Sequence, residues 1–190
     1  MSHDTTIINQ ERQDLSHHES IWLFGYGSLI YKAGFDFLER RPAWIHGWQR
    51  RFWQGSHDHR GTPDAPGRVL TLVADEESDC FGMAYRIRPD AIPALDVREK
   101  NGYLRFEADM RFADDSDAKG LVYIAKPDNA AWLGPASDEH IARHIANSEG
   151  PSGPNREYLL KLAQSLRDHG EQDAHVFAVE RALLALRADS

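Results

Sequence analysis

The sequence holds one cysteine, Cys80, among its 190 residues. A single cysteine cannot form a disulfide within the chain, so no internal cross-link contributes to the fold. Cys80 stands at the start of an apolar segment, residues 80–85, that has the composition of a strand. This setting predicts a buried, unreactive thiol and not a catalytic nucleophile.

Positive charge is also scarce, because 22 lysines and arginines stand against 30 acidic residues, for a net charge of -8. This balance argues against a nucleic-acid partner and against an anionic membrane surface, since both require a positive face. A local positive pocket remains compatible with it, because several arginines lie close together in the motif-bearing first half. These are Arg50, Arg51, Arg60, Arg68 and Arg98.

Long apolar runs are missing as well. No stretch of the sequence is long enough to span a bilayer, and the N-terminus is polar, unlike a signal peptide. We therefore expect a cytoplasmic protein, and the sequence indicates no protein partner. The length predicts a single domain over residues 20–190, preceded by a polar and loosely structured tail over residues 1–19.

The pattern of apolar residues predicts an α+β fold. Segments rich in β-branched and aromatic residues indicate strands near 21–26, 43–55, 67–74, 80–88, 103–112 and 119–126. Helical spacing and helix start or stop signals indicate helices over 90–100, 137–148, 157–167 and 174–187. Because most strands precede the helices, we expect a mainly antiparallel sheet on which the helices pack.

Two short stretches carry the strongest functional signal. In residues 22–30 an apolar strand ends in a turn, where Gly25 and Gly27 allow a backbone that larger residues resist. Such a turn can direct several backbone N–H groups at one point and bind an anion. In residues 97–103, Glu99 stands between two cations just before a second turn. Together they indicate a pocket that holds a small carboxylate-bearing molecule and moves protons on it.

Six motifs occur in the order, and at the spacings, of one protein family. They are Tyr-Gly-Ser-Leu at 26–29, Arg-Arg-Phe-Trp-Gln-Gly-Ser at 50–56, Asp-His-Arg-Gly at 58–61, Pro-Gly-Arg-Val at 66–69, Arg-Glu-Lys-Asn-Gly-Tyr at 98–103, and Gly-Pro-Ser-Gly at 150–153 followed by Asn155 and Glu-Tyr-Leu at 157–159. In these motifs the chain resembles the ChaC-type gamma-glutamylcyclotransferases, the glutathione-specific branch, over about residues 20–186. The resemblance implies that the sheet curls into a small barrel with flanking and C-terminal helices.

The resemblance also implies roles for individual residues. Glu99 falls on the glutamate that the family uses as its catalytic acid and base. The turn is implied to bind the α-carboxylate and γ-carbonyl end of a glutamyl group through backbone N–H groups, and its residues are Tyr26, Gly27, Ser28 and Leu29. Without the resemblance, an ion pair of Glu99 with Arg98 or Lys100 would be the simpler interpretation.

Ser28 is not expected to act as a nucleophile. A Gly-x-Ser-x-Gly elbow requires a second glycine where this chain has Ile30. The same residue interrupts the glycine pattern of a dinucleotide-binding turn. A serine hydrolase and a dinucleotide-binding enzyme are therefore poorly supported by this turn.

Three further side chains are candidates for substrate binding. Arg50 and Arg51 lie on one strand and face opposite ways, so at most one of them reaches a pocket, and we favour Arg51. The other arginine is expected to form a solvent-facing salt bridge. Tyr103 and Tyr123 can supply hydroxyl groups to the pocket, although packing within the sheet explains each of them equally well.

The histidines and tryptophans suggest other functions less strongly. His57 with His59, and His140 with His144, are spaced like pairs of metal ligands, but the helical pair lacks the glutamate of the zinc-protease motif. We predict solvated or turn-bonded histidines and no metal or organic cofactor. Aromatic residues alternate with arginines near residues 44–53, a pattern that suits nucleic-acid stacking but fits core and pocket walls better in an acidic chain.

The expected function is the conversion of glutathione into 5-oxoproline and cysteinylglycine by an enzyme with a glutamate acid and base. Two alternatives remain at this point. The enzyme could act on other gamma-glutamyl amino acids or amines, or the chain could be a non-catalytic regulatory protein that binds gamma-glutamyl compounds. An intact Glu99 and an intact turn at residues 26–29 favour the enzyme.

Overall fold

The computed structural model describes residues 4–188, which group into two compact units. Within this range, residues 4–49 and 72–130 belong to the first unit, and residues 50–71 and 131–188 belong to the second. The first unit holds most of the sheet, and the second holds the three long C-terminal helices. Among the described residues, no helix combines the length and the apolar character needed to cross a membrane.

The sheet is a closed five-stranded barrel with the strand order β1-β3-β2-β4-β5. Its strands are β1 (Ile21–Gly25), β2 (Glu39–Ser56), β3 (Gly67–Ile87), β4 (Leu104–Phe112) and β5 (Asp117–Ile124). β1 pairs antiparallel with β3 and parallel with β5, while β4 pairs antiparallel with both β2 and β5. The predicted mainly antiparallel barrel is confirmed.

The barrel differs from the sequence prediction in β3, which is one strand where two were predicted, over 67–74 and 80–88. The polar residues 75–79 predicted a break because they lack the β-branched and aromatic side chains typical of strands. They instead continue the strand with most of their side chains at least partly exposed. The backbone hydrogen bonds of the barrel do not require apolar side chains. The tertiary structure therefore keeps residues 75–79 in a strand, although their composition does not favour one.

A compact apolar cluster forms the core of the first unit. It includes Leu29 from the predicted anion-binding turn and Leu95 from helix α2 (Ile92–Arg98), together with residues of β1, β3 and β5. A single 3-10 turn, Pro89–Ala91, leads into α2. The other buried members of the apolar cluster are Ile21, Leu23, Met83, Tyr85, Ile87, Ile92, Leu121 and Tyr123. The core therefore joins the turn and α2 to the barrel.

Part of the predicted loose tail is ordered in the structure. Residues Thr6–Gln10 form a short helix, α1, in which Asn9 is fully buried. α1 packs against α2 and β4. A helix of this length is not stable alone in water, so its order depends on tertiary contacts that no local sequence pattern indicates. Residues 1–3 of the predicted tail lie outside the described residues.

The second unit is built on three helices that bury apolar faces against one another. They are α3 (Asp138–Ala146), α4 (Asn155–Asp168) and α5 (Ala174–Ala188), and a two-stranded ribbon of β6 (Glu149–Gly150) and β7 (Gly153–Pro154) separates the first two. The hydroxyl of Ser137 caps α3 by accepting the N–H of His140 at 3.2 Å, at the residue where the predicted helix begins. Leu159, Leu162 and Leu166 are fully buried on α4 at the predicted helical spacing.

Candidate active site

Glu99 lies immediately after α2, at the point where the helix ends. Its N–H donates to the carbonyl of Leu95 at 2.9 Å, and the chain then turns at Gly102, whose φ of 92° favours glycine. The side chain of Glu99 is 23% exposed, and its Oε1 lies 3.5 Å from Nε of Arg98. The carboxylate is therefore partly shielded from water and still accessible to a small molecule.

The predicted anion-binding turn follows β1 directly and is tied to the barrel at both ends. Tyr26 is buried, and its hydroxyl donates to the carbonyl of Tyr123 at 2.5 Å. The carbonyl of Leu29 accepts a hydrogen bond from the hydroxyl of Tyr85, also at 2.5 Å. No side chain fits at Gly25, because an added Cβ would lie 2.3 Å from Cβ of Leu29. The turn is thus held in one conformation.

Backbone N–H groups are available at this turn. Ile30 donates its N–H to the carbonyl of Gly27 at 3.0 Å, and the next two residues both donate to the carbonyl of Ser28. The N–H groups of Gly27, Ser28 and Leu29 have no acceptor within residues 4–188. Consecutive N–H groups of this kind can bind a carboxylate or a developing oxyanion.

Arg98 connects the turn to Glu99. Its Nη1 donates to the carbonyl of Ala33 at 2.7 Å, and its Nη2 lies 3.4 Å from Oγ of Ser28. Its Nε lies 3.5 Å from Oε1 of Glu99. The sequence suggested Arg98 as an ion-pair partner and as one arginine of a positive pocket, but its place between the turn and Glu99 was missed. One guanidinium therefore contacts both of the features that the sequence singled out.

A second buried residue, Asp96, was also missed. Its Oδ1 accepts a hydrogen bond from the hydroxyl of Tyr123 at 2.7 Å and lies 3.2 Å from Nε of Arg105. Burial raises the pKa of Asp96, while the hydrogen bond from Tyr123 and the charge of Arg105 act in the opposite direction. Its position on α2, three residues before Glu99, was the available signal.

Tyr123 occupies a central position in the first unit. Burial strongly raises the pKa of its hydroxyl, and the nearby charges of Asp96 and Glu99 raise it further, against the opposing effect of Arg105. The hydroxyl therefore stays protonated and donates to Asp96, whereas the carbonyl of the same residue accepts from Tyr26. Tyr123 belongs to the same unit as Glu99 and the turn, and its hydroxyl donates a hydrogen bond to Asp96.

Tyr103 lies four residues after Glu99, just before β4. Its partly buried ring packs against the core cluster that includes Leu29 and Tyr123. Its carbonyl accepts hydrogen bonds from Oγ1 of Thr5 at 2.7 Å and from Nδ2 of Asn9 at 2.9 Å. The first unit thus contains Tyr103 together with Glu99, Tyr123 and the four turn residues.

Arg51, by contrast, belongs to the second unit. Its Nη1 donates to the carbonyl of Arg50 at 2.6 Å. Arg50 forms a salt bridge, as expected for one member of this pair, with its Nε 2.7 Å from Oδ2 of Asp173, but Arg50 is buried and the bridge does not face solvent, contrary to the prediction. A substrate contact by Arg51 stays a prediction.

In each histidine pair, one ring makes a hydrogen bond within the protein. Nε2 of His144 lies 2.7 Å from the carbonyl of Pro66, and Nδ1 of His59 lies 3.3 Å from the hydroxyl of Ser152. Within residues 4–188, no group of three or more histidine, cysteine, aspartate or glutamate side chains is arranged to hold a metal ion. The thiol of Cys80 is buried, as predicted.

Known proteins resemble this chain over most of its length. Gamma-glutamylcyclotransferase 2-3 of Arabidopsis thaliana is 48% identical over 169 residues, which cover 83% of this chain and 85% of that protein. Glutathione-specific gamma-glutamylcyclotransferase 1 of Danio rerio is 42% identical over 176 residues, covering 87% and 90% of the two chains.

Solved structures show the same fold. The crystal structure of a gamma-glutamylcyclotransferase specific to glutathione from yeast superposes with a TM-score of 0.82 at 33% sequence identity, covering 88% of this chain and 97% of that one. Residues 21–185 match the family model described as ChaC-like protein, and they include both the turn and Glu99. The chain therefore belongs to the ChaC-like protein family.

Proposed function

We propose that this protein cleaves glutathione into 5-oxoproline and cysteinylglycine. The observation that carries the proposal is the contact of Arg98 with both Ser28 and Glu99, because it brings an anion-binding turn and a carboxylate to one place. The similarity to proteins named as glutathione-specific gamma-glutamylcyclotransferases supports the choice of substrate.

The substrate supplies its own nucleophile. The α-amine nitrogen of the glutamyl group attacks the γ-amide carbonyl carbon, so that a new carbon–nitrogen bond closes the five-membered ring. The bond from that carbon to the cysteine nitrogen then breaks, and cysteinylglycine leaves. No water is consumed, and no change of oxidation state occurs.

Glu99 is the proposed acid and base. An ammonium group cannot attack a carbonyl, so a proton must leave the α-amine before or during ring closure. The α-ammonium loses two protons as it becomes the ring N–H, and the departing cysteine nitrogen gains two as it becomes an ammonium. The carboxylate of Glu99 accepts each proton in turn and passes it to the cysteine nitrogen, so one residue serves as both base and acid. The partial exposure of its side chain leaves it accessible to a substrate amine.

The turn is proposed to bind the glutamyl group. The N–H groups of Gly27, Ser28 and Leu29 can receive the α-carboxylate or the oxyanion that develops on the γ-carbonyl oxygen. Arg98 places a positive charge beside Ser28, where it would also attract the α-carboxylate. Holding the flexible glutamyl arm in a ring-closing conformation reduces the conformational entropy that ring closure must lose.

Substrate choice and location complete the proposal. We place the enzyme in the cytoplasm, with glutathione as its main substrate and with no nucleic-acid or membrane partner. The buried state of Cys80 is compatible with a reducing compartment, since the chain forms no disulfide there. Arg51 and Tyr103 remain proposed substrate contacts.

A turnover assay on purified protein tests the proposed function. Glutathione and gamma-glutamyl-alanine are offered in parallel, and 5-oxoproline is measured against enzyme concentration. We expect many turnovers with glutathione and a higher kcat/KM for it than for gamma-glutamyl-alanine. Stoichiometric binding of glutathione without formation of 5-oxoproline would identify a binding protein, and preference for gamma-glutamyl-alanine would identify a cyclotransferase of other specificity.

A further inference from the structure

The segment of residues 4–13, which we name the N-terminal clamp, lies against the loop that follows Glu99. Thr5 donates its N–H to the carbonyl of Lys100 at 2.8 Å. Its hydroxyl lies 3.0 Å from the same carbonyl and 2.7 Å from the carbonyl of Tyr103. Asp4 forms an antiparallel bridge with Asn101. The clamp precedes the part of the chain that matches the family model, which begins at residue 21.

Asn9 makes the most specific contacts of the clamp. Its side chain is fully buried, with 0% of its surface exposed. Nδ2 donates to the carbonyl of Tyr103 at 2.9 Å, and Oδ1 accepts the N–H of Arg105 at 2.9 Å. The side-chain amide therefore pairs with the start of β4 as a neighbouring strand would, and it satisfies two buried backbone groups.

The clamp also contacts the buried ion pair beneath the site. The carbonyl of Asn9 accepts from Nη2 of Arg105, and Nε of Arg12 lies 2.5 Å from the carbonyl of Arg105. Arg105 in turn pairs with Asp96, which holds the hydroxyl of Tyr123. The clamp thus contacts Lys100 and Tyr103, which follow Glu99, and it reaches Asp96, which precedes Glu99, through Arg105.

This arrangement matters because Glu99 lies where regular structure stops. α2 ends at Arg98, and β4 begins at Leu104, so residues 99–103 form a short connection. Thr5 and Asn9 supply hydrogen bonds to the carbonyls of Lys100 and Tyr103 within this connection. A carboxylate that transfers protons must stay within hydrogen-bonding reach of its substrate, and small displacements reduce its efficiency steeply.

We propose that the N-terminal clamp is a positioning element for the catalytic step, in which Asn9 and Thr5 hold the connection that bears Glu99. This inference rests on the proposed function of Glu99. The clamp residues act through the loop and do not touch substrate. The competing explanation is that the clamp only adds stability to the fold, and the two explanations differ in their effects on kcat.

The test uses the full chain with three substitutions. Asn9→Ala removes both side-chain hydrogen bonds, and Thr5→Val removes the hydroxyl bonds while it keeps the backbone bond and the side-chain shape. Gln10→Ala is the matched control, because Gln10 is the next residue of α1 and its side chain is exposed. Circular dichroism identifies a temperature at which every variant is folded, and Thr5→Val decides the result if Asn9→Ala does not fold.

With glutathione as substrate, we expect Asn9→Ala to lower kcat by about 10- to 100-fold, while KM changes by less than about twofold. Thr5→Val should lower kcat by a smaller factor, and Gln10→Ala should match the wild type. Amide hydrogen exchange at residues 99–105 should accelerate in the two clamp variants and not in the control. Slower turnover of the folded variants together with faster exchange supports the clamp as a positioning element.

Two other results have different meanings. If wild-type protein forms no 5-oxoproline, the proposed function is wrong, and the clamp has no catalytic step to support. If wild-type protein is active and the folded clamp variants keep its kcat, the clamp proposal alone is overturned. Faster exchange at residues 99–105 with unchanged kcat would show that the clamp only adds stability to the fold, and it would also overturn the proposal.

Discussion

The hydroxyl of Tyr123 donates a 2.7 Å hydrogen bond to Oδ1 of Asp96, and both side chains are buried. Nε of Arg105 approaches the same oxygen to 3.2 Å, so the carboxylate has two partners away from water. A buried carboxylate is tolerated only when such partners are present. The hydroxyl of Tyr123 thus supports the structure beneath Glu99 through its donor, and a substrate contact by Tyr123 stays a prediction.

Removal of that hydroxyl should reduce stability. In Tyr123→Phe the carboxylate of Asp96 loses a donor but stays buried, which should lower the free energy of unfolding by about 1–3 kcal/mol. Urea denaturation at neutral pH, followed by tryptophan fluorescence, measures the change. An unfolding free energy equal to that of the wild type would show that this hydrogen bond is not needed for stability.

A methyl group at position 25 should disrupt the anion-binding turn. In Gly25→Ala the new Cβ would lie 2.3 Å from Cβ of Leu29, so the turn must shift. We expect kcat/KM for glutathione to fall by about 10-fold or more, as the N–H groups of the turn move away from the substrate. Steady-state kinetics on the folded variant provide the measurement.

Gly47→Ala is the control for this substitution. An added Cβ at Gly47 meets no atom within 4 Å. The backbone φ of 89° at this position favours glycine, so alanine there should lower the stability of the folded protein. At a temperature where both variants are folded, Gly47→Ala should keep wild-type kinetics. Equal kinetics for Gly25→Ala and Gly47→Ala would argue against a role for the turn.

Acetylation of the substrate should block the reaction. The α-amine is the proposed nucleophile, and N-acetylglutathione lacks a basic nitrogen at this position. We expect no 5-oxoproline derivative from it, even at concentrations where it competes with glutathione for the site. Liquid chromatography of the products decides the question, and cleavage of the acetylated compound at a rate near that of glutathione would contradict attack by the amine.

Stability should fall in mild acid because of His175. Burial and the nearby charge of Arg51 lower the pKa of His175 to about 4, and its Nε2 accepts the N–H of Phe52 at 3.1 Å, which requires the neutral ring. In the unfolded chain the same ring has its ordinary pKa of about 6.5. Between these two pKa values the unfolded state binds a proton that the folded state does not, so stability decreases as the pH falls from 6.5 to 4.

Chemical denaturation at several pH values measures this effect, which we expect to be on the order of 2–3 kcal/mol over the window. His175→Gln is the control, because its side-chain oxygen can still accept the N–H of Phe52 but cannot be protonated in this range. Its stability should depend less on pH between 6.5 and 4 than that of the wild type. Parallel curves for the two proteins would contradict the assignment.

Local patterns were sufficient to predict the strands, the long helices and the turn, whereas the closure of the sheet into a barrel was implied only by the family resemblance. Alternating and β-branched residues indicate β1 and β4, and the three leucines of α4 recur at helical spacing. The turn was predicted from glycines that directly follow an apolar strand. The stretch around Glu99 was noted from its sequence, but its role as acid and base was implied by the family resemblance, since its neighbours alone favoured an ion pair.

Other features could not be predicted because they depend on residues that are distant in the sequence. Asn9 meets Arg105 across 96 positions, and Tyr123 meets Asp96 across 27. No periodic pattern links such residues, and the polar composition of the first residues indicated a loose tail. The charged run at 75–79 predicted a break in β3 for a similar reason, since barrel pairing is not visible in local composition.

Product analysis of the wild type beside Glu99→Gln tests the central claim most directly. Glutathione is incubated with each purified protein, and 5-oxoproline, cysteinylglycine and free glutamate are quantified. We expect the wild type to form 5-oxoproline and cysteinylglycine in equal amounts without glutamate, and the folded Glu99→Gln variant to be slower by about 100-fold or more. Wild-type turnover in Glu99→Gln would contradict the role of Glu99, and free glutamate in place of 5-oxoproline would show hydrolysis by water and contradict the cyclisation.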